Sequence, residues 1–212
     1  MSVWEDPPFM MTLRPAVFLD RDGVVIEDSH YLADRSRVRL LPGAAEAIAT
    51  LNRTGWPVVI VTNQSGVARG LFGEDDVAEV HDHLAELLRG YGARIDAFHY
   101  CPHHPEGAVA RYRVDCSCRK PRPGMLVRAA ESLGIDLAAS WLIGDRVSDL
   151  AAGAAVGCRT VLVRTGHGTS LNPAALDRDA LNLVLVAADL ADAVGKLDLT
   201  FAKSTACVRF TV

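Results

Sequence analysis

No apolar run in this 212-residue chain approaches the length of a membrane span. The longest, PVVIV at 57–61 and LNLVLVAA at 181–188, fall well short of the ~18 residues a spanning helix needs, so no membrane partner is expected. Basic charge is not in excess either. A formal net charge of −4 and a pI near 6.0 give no positive footprint of the kind nucleic acid requires, and the expected partner is a small molecule. The start of the chain, MSVWEDPPFMMTLRP, carries early acids and paired prolines where a secretory signal has basic and then apolar residues. A cytoplasmic protein is expected. Cysteine is scarce, with five in all, an odd number, and three of them sit at 101, 116 and 118. That is a poor match to a secreted disulfide framework and a better one to thiols kept reduced.

What is present is an alternation. AVFL (16–19), PVVIV (57–61), IDAFHY (95–100), SWLIG (140–144) and RTVLV (159–163) read as buried strands, with a weaker one at LNLVLV (181–186). Helical segments lie between them: PGAAEAIATLNRTG (42–55), EDDVAEVHDHLAELLRGYG (74–92), GMLVRAAESLG (124–134) and VSDLAAGAAVG (147–157). Acids open the second of these, an arginine closes it and Gly90 stops it, as the helix dipole favours. His81 and His83, two apart on that helix, are expected at the surface. Strand and helix in alternation predict an α/β fold, a three-layer Rossmann-like parallel sheet covered on both faces, with ligands beyond the carboxyl ends of the strands. The expected organisation is an arm at 1–14, one domain at 15–197 and a tail at 198–212 that is either a strand or frayed.

Chemistry gathers at those carboxyl ends. The first strand ends in FLDRDGVV, where Asp20 and Asp22 follow the apolar run and Gly23 permits a sharp turn. Two carboxylates one residue apart can share a magnesium ion, although Asp and Gly are also ordinary turn residues. The second strand ends in VTNQSGVARG. Thr62, Asn63 and Gln64 offer a hydroxyl and amides, and the Gly/Ser loop offers backbone N–H groups for phosphate oxygens. The fourth strand ends in LIGDRVSDL, with Asp145 at the strand end and Asp149 one turn into the next helix, where an acid is favourable anyway. RKP at 119–121 places a fixed positive charge, Lys120, between these stretches.

Taken together, Asp-x-Asp-Gly, Thr-Asn, Lys-Pro and Gly-Asp in this order resemble the haloacid dehalogenase superfamily, from about residue 16 to about residue 165. The resemblance implies a phosphatase in which Asp20 is the nucleophile and forms an aspartyl phosphate, while Asp22 is the general acid and then the general base. It implies magnesium held by the Asp20 carboxylate, the Asp22 main-chain carbonyl and the Asp145 carboxylate, with Asp149 behind them. Thr62, Asn63, Gln64 and Lys120 would hold the transferring phosphoryl group. A free aspartate is ionised at neutral pH and needs no base to become a nucleophile.

The segment HYCPHHPEGAVARYRVDCSCRKPR (99–122) then takes its place. Cys101-x-His103 and Cys116-x-Cys118 supply three sulfurs and an imidazole, a set suited to a closed, structural zinc site. A Rieske cluster would need a second histidine in the latter pair, and a disulfide would leave one thiol over. Both remain alternatives to zinc. His104 is expected to face the pocket or solvent. Between Asp20 and Thr62 there is room for a loop, a helix and a strand but no cap domain, so the zinc loop at 99–120 would form the substrate wall. FLDRDGVV, TNQSGVARG, CPHHP, CSCRKPRPGM and GDRVSDL resemble the capless histidinol-phosphate and heptose-bisphosphate phosphatase group, and the long loop is typical of the heptose branch. This implies a small phosphorylated sugar substrate; the planar fork of Arg119 suits a second phosphate, and a monomer is expected. Histidinol phosphate is the alternative substrate.

Overall fold

The structure is a computed structural model and describes residues 13–199. Six strands form one parallel sheet: β1 (Val17–Leu19), β2 (Val58–Asn63), β3 (Ala97–Cys101), β4 (Trp141–Gly144), β5 (Arg159–Val163) and β6 (Leu183–Ala187). Their order is β3-β2-β1-β4-β5-β6, so the chain reverses its direction of progress between β1 and β4. In such sheets the crevice at this switch point is where ligands bind.

Among the described residues six α-helices accompany the sheet: α1 (Ala44–Arg53), α2 (Gly66–Arg69), α3 (Glu74–Arg89), α4 (Gly124–Leu133), α5 (Val147–Ala154) and α6 (Leu190–Lys196). Side chains alternate across the sheet. Val17, Leu19, Val58, Ile60, Trp141 and Ile143 pack with α1, α3 and α6 on one face. Phe18, Val59, Val61 and Leu142 pack with α4 and α5 on the other. Both faces being covered is why the central strands read as continuous apolar runs in the sequence.

Two expectations need adjustment. Arg14, assigned to the arm, already forms a parallel bridge with Ile135, its N–H donating to the Gly134 carbonyl at 3.0 Å. Residues 1–12 and 200–212 lie outside the described residues, and with them most of the arm and tail. His81 is not at the surface. It is buried and stacked on Phe98 with ring centroids 4.7 Å apart, because Val77, His81, Leu84 and Leu88 form the inward stripe of α3. Burial, and then the charge of Arg21, hold its imidazole down to about 3, so it is a neutral core residue.

Between β1 and α1 the chain makes one 3-10 turn (Arg35–Arg37) and bridges of Ile26 with Asp22 and Leu40. No separate folding unit is inserted there among the described residues. No helix among them is long and apolar enough to cross a membrane.

Candidate active site

Asp20 stands at the carboxyl end of β1 and Asp145 at that of β4, the two strands that flank the switch point. The turn after Asp20 is built on backbone bonds: the Asp20 carboxylate accepts from the Arg21 N–H at 2.7 Å, and the Arg21 carbonyl accepts from Val25 at 2.9 Å. Gly23 has φ +80°, and a Cβ there would sit 2.4 Å from Asp145 Oδ2. Only glycine lets this turn close against Asp145.

Asp20, Asp145 and Asp149 converge, with a carboxylate oxygen from each within 4.8 Å of the others. Lys120, itself buried, forms ion pairs through Nζ with Asp20 at 2.9 Å and Asp149 at 2.8 Å, and donates to the Val61 carbonyl at 2.8 Å. Burial opposes its charge, but Asp149 and Asp20 outweigh that and hold it above the usual lysine range. Asp20 moves the other way from its usual charged state. Burial pushes it up to about 7; Lys120 opposes, while Asp149, Asp145 and Asp22 add to the rise. Asp145 is pushed up to about 6 by burial and then by Asp149, against the N–H of His167. The directions for Lys120 and Asp20 agree once the charges are counted: the ammonium faces two carboxylates, whereas Asp20 faces one ammonium and several carboxylates. Burial and the neighbouring carboxylates thus oppose the ionised state of Asp20, and Lys120 favours it. A divalent cation resolves this, since three buried carboxylates with one ammonium keep excess negative charge. Asp145 Oδ1 is also buried without a hydrogen-bond partner, while Oδ2 accepts from His167 N–H at 2.7 Å. The donor set fits magnesium, a hard cation that takes oxygen ligands.

Asp22 borders the same cavity, of about 470 Å³. Its Oδ2 accepts from Gln64 Nε2 at 3.0 Å and from Arg21 Nη2 at 3.0 Å. Gln64 also donates to Thr62 Oγ1 at 2.9 Å. Asn63 donates from Nδ2 to the Lys120 carbonyl at 3.1 Å and accepts from the Lys120 N–H at 3.1 Å. These two amides were expected on substrate. In the structure Gln64 orients Asp22 and Thr62, and Asn63 clamps the backbone of Lys120. Both still line the cavity, as do Thr62, Arg119 and Lys120.

The opposite wall was not legible in the sequence. Asp28 lies 3.0 Å from His167 Nε2 and accepts from Arg146 Nη2 at 3.3 Å. His30 and Tyr31, with φ of 47° and 54°, turn the rim in a conformation that L-residues rarely adopt. Arg146 follows Asp145 directly, which was a signal available within the Gly-Asp motif; Asp28, His30 and Tyr31 lie in a stretch without periodicity.

The cysteine segment closes on itself. The sulfurs of Cys101, Cys116 and Cys118 lie 3.1, 3.2 and 3.4 Å apart, and His103 Nδ1 is 3.4 Å from Cys118 and 3.7 Å from Cys101. None is in a disulfide. The sulfur–sulfur contact with Cys101, opposed by burial, holds the Cys118 thiol down, and the same contact with burial pushes Cys101 up. Three sulfurs and one imidazole nitrogen, all within 4.8 Å of one another, fit a four-ligand zinc with no position left for water. Glu74 ties the loop to α3, accepting from Tyr112 of the loop and, at 2.6 Å, from Tyr100 of β3. His104 contacts Arg69 at 3.4 Å; slight burial, then the charges of Arg119 and Arg69, hold it below the usual histidine range. Metal analysis of protein purified without added zinc should find one tightly bound zinc per chain. Less than about a third of an equivalent, with all four side chains open to alkylation or modification, would reject the site.

Two family models match the chain: haloacid dehalogenase-like hydrolase over residues 17–93 and HAD-hydrolase-like over residues 117–193. The D-glycero-beta-D-manno-heptose-1,7-bisphosphate 7-phosphatase of Rhodopseudomonas palustris is 51% identical over 144 residues, covering 68% of this chain and 80% of its own. The protein of the same name from Photorhabdus laumondii is 41% identical over 183 residues, covering 85% of this chain and 95% of its own.

The chain belongs to the haloacid dehalogenase-like hydrolases.

Among solved structures, the D,D-heptose 1,7-bisphosphate phosphatase of B. bronchiseptica, complexed with magnesium and phosphate, superposes with a TM-score of 0.75 at 38% identity, covering 85% of this chain and 96% of its own. The fold described here is shared with it. Magnesium in that relative agrees with the fit of the Asp20, Asp145 and Asp149 cluster to a divalent cation.

Proposed function

We propose that this hydrolase is a magnesium-dependent phosphomonoesterase that removes the 7-phosphate of D-glycero-D-manno-heptose 1,7-bisphosphate through an aspartyl phosphate on Asp20. The observation that carries the reading is Lys120, a buried ammonium held between Asp20 and Asp149 at the floor of an open cavity. A nucleophilic carboxylate and a phosphate repel each other, and Lys120 lies where that repulsion must be offset. Magnesium, held by Asp20, Asp145 and the main-chain carbonyl of Asp22, would neutralise the remaining charge.

Asp20 attacks phosphorus as the sugar oxygen departs, and Asp22 gives that oxygen a proton. Asp22 then takes a proton from the water that attacks the phosphoryl phosphorus, which frees phosphate and restores Asp20. Thr62 and Lys120 hold the equatorial oxygens; Gln64 and Asn63 keep Asp22 and Lys120 in place. We assign the enzyme to the cytoplasm as a monomer, a setting that suits the unpaired thiols of Cys101, Cys116, Cys118 and Cys158.

Arg119 lines the cavity with its guanidinium braced on the His103 carbonyl at 3.2 Å, so the zinc loop fixes where it points. Its planar fork suits a second phosphate. Arg119→Ala should lower kcat/KM for the 1,7-bisphosphate by ~10- to 100-fold relative to that for p-nitrophenyl phosphate. Equal losses on both would assign Arg119 to the reacting phosphate. Phosphate release measured with magnesium across sugar bisphosphates, sugar monophosphates and histidinol phosphate tests the substrate. Fastest turnover of the heptose bisphosphate is expected, and a preference for histidinol phosphate would replace this reading.

A further inference from the structure

Arg21, Arg122 and Arg146 are each paired with a carboxylate, on Asp22, Asp115 and Asp28 respectively. Arg69 and Arg119 line the active-site cavity with Arg21 and Arg146, and among the described residues neither is paired with a carboxylate. The geometry at Arg69 is unusual in a second way. His104 Nδ1 accepts from the Glu106 N–H at 3.1 Å, so in the neutral imidazole the proton is on Nε2. That Nε2 faces Arg69 Nη2 at 3.4 Å. Two donors thus point at each other, and an arrangement of this kind is completed by an acceptor that both can reach, such as an anion's oxygen.

Arg69 is not a stray surface residue. It ends α2, which is laced to the zinc loop: the Ala68 N–H donates to the Pro102 carbonyl at 3.1 Å, and the Val109 N–H donates to the Ala68 carbonyl at 2.9 Å. A Cβ on Gly107 would meet the Ala68 carbonyl at 2.8 Å, so loop and helix touch there backbone to backbone. The loop that carries His103, His104 and Arg119 therefore also sets where Arg69 stands.

From this we propose that Arg69 and His104 complete, with Arg119, a distal subsite for the phosphate monoester that the enzyme does not cleave. The inference rests on the bisphosphate reading above and adds to it two specificity-determining residues on separate elements. Arg69 and Arg119 supply charge and paired N–H groups, and His104 supplies a single neutral donor.

The test compares wild type, Arg69→Ala, Arg69→Lys and His104→Ala on the heptose 1,7-bisphosphate and on the 7-phosphate lacking the 1-phosphate, with zinc content measured for each. The ratio of the two kcat/KM values should fall on the order of tenfold in Arg69→Ala and less in Arg69→Lys, with one zinc retained. His104→Ala should show a smaller fall in the same direction. A ratio equal to wild type in Arg69→Ala, or one restored fully by lysine and unaffected by His104→Ala, overturns the subsite. A separate readout is the His104 imidazole resonance on titration with inorganic phosphate, expected to move in wild type and not in Arg69→Ala. Should wild type show no preference for the bisphosphate, the assigned substrate is wrong. The resonance then decides the subsite by itself: a shift abolished in Arg69→Ala supports it, and no shift in wild type overturns it.

Discussion

Asp20→Asn should lower phosphatase turnover at least ~1000-fold, about 4 kcal/mol of barrier. Asparagine matches aspartate in size and can still accept from the Arg21 N–H that fixes the carboxylate now, so the turn should survive. What is lost is the nucleophile, one ligand of the cation and one anion opposite Lys120. Stability should fall little or rise, because burial and neighbouring carboxylates push Asp20 up to about 7 and the substitution removes a charge the protein holds at a cost. Phosphate release and a denaturant melt on the same preparation separate the two effects. Ample turnover in a folded variant would defeat covalent catalysis by Asp20.

Lys120→Met should be severe in both respects. The side chain is similar in length, but Asp20 and Asp149 lose the ammonium that pairs with them and the Val61 carbonyl loses its donor. Removing one partner of a buried ion pair leaves uncompensated charge, which typically costs ~3–5 kcal/mol. Burial and the neighbouring carboxylates push the Asp20 pKa up, so without Lys120 proton uptake should absorb part of this, and the lower end of that range is expected. Turnover should fall ~100- to 1000-fold, since the charge that steadies the phosphoryl group is gone. Urea melts should show the lost stability, with magnesium restoring part of it by neutralising the same carboxylates. A variant as stable and as active as wild type would show that Lys120 is a bystander.

The fold was legible for a physical reason. β1, β2 and β4 are buried on both faces, so their apolar runs stand out, and loops beyond their carboxyl ends concentrate the polar residues that chemistry needs. Asp20, Asp22, Thr62, Lys120 and Asp145 all follow such runs or sit in motifs of restricted spacing. The direction in which a side chain points was less legible. Asn63 and Gln64 are of the right type to touch substrate, yet their amides close on Lys120 and Asp22, a choice set by tertiary neighbours. His81 was misplaced because its polarity masked its position in the 77, 81, 84, 88 stripe of α3. The Asp28, Arg146 and His167 wall joins three separate loops, and no local pattern announces such a meeting.

The most direct test of covalent catalysis is to trap the phosphoenzyme. Asp22→Asn with p-nitrophenyl phosphate should form it, because p-nitrophenolate leaves without needing a proton, and should hydrolyse it slowly, because no base activates water. Acid quenching followed by mass spectrometry of the peptides should then find one added phosphoryl group on Asp20, absent from Asp20→Asn. Release of nitrophenolate with no added mass on any peptide, or with the mass on a residue other than Asp20, would contradict the account.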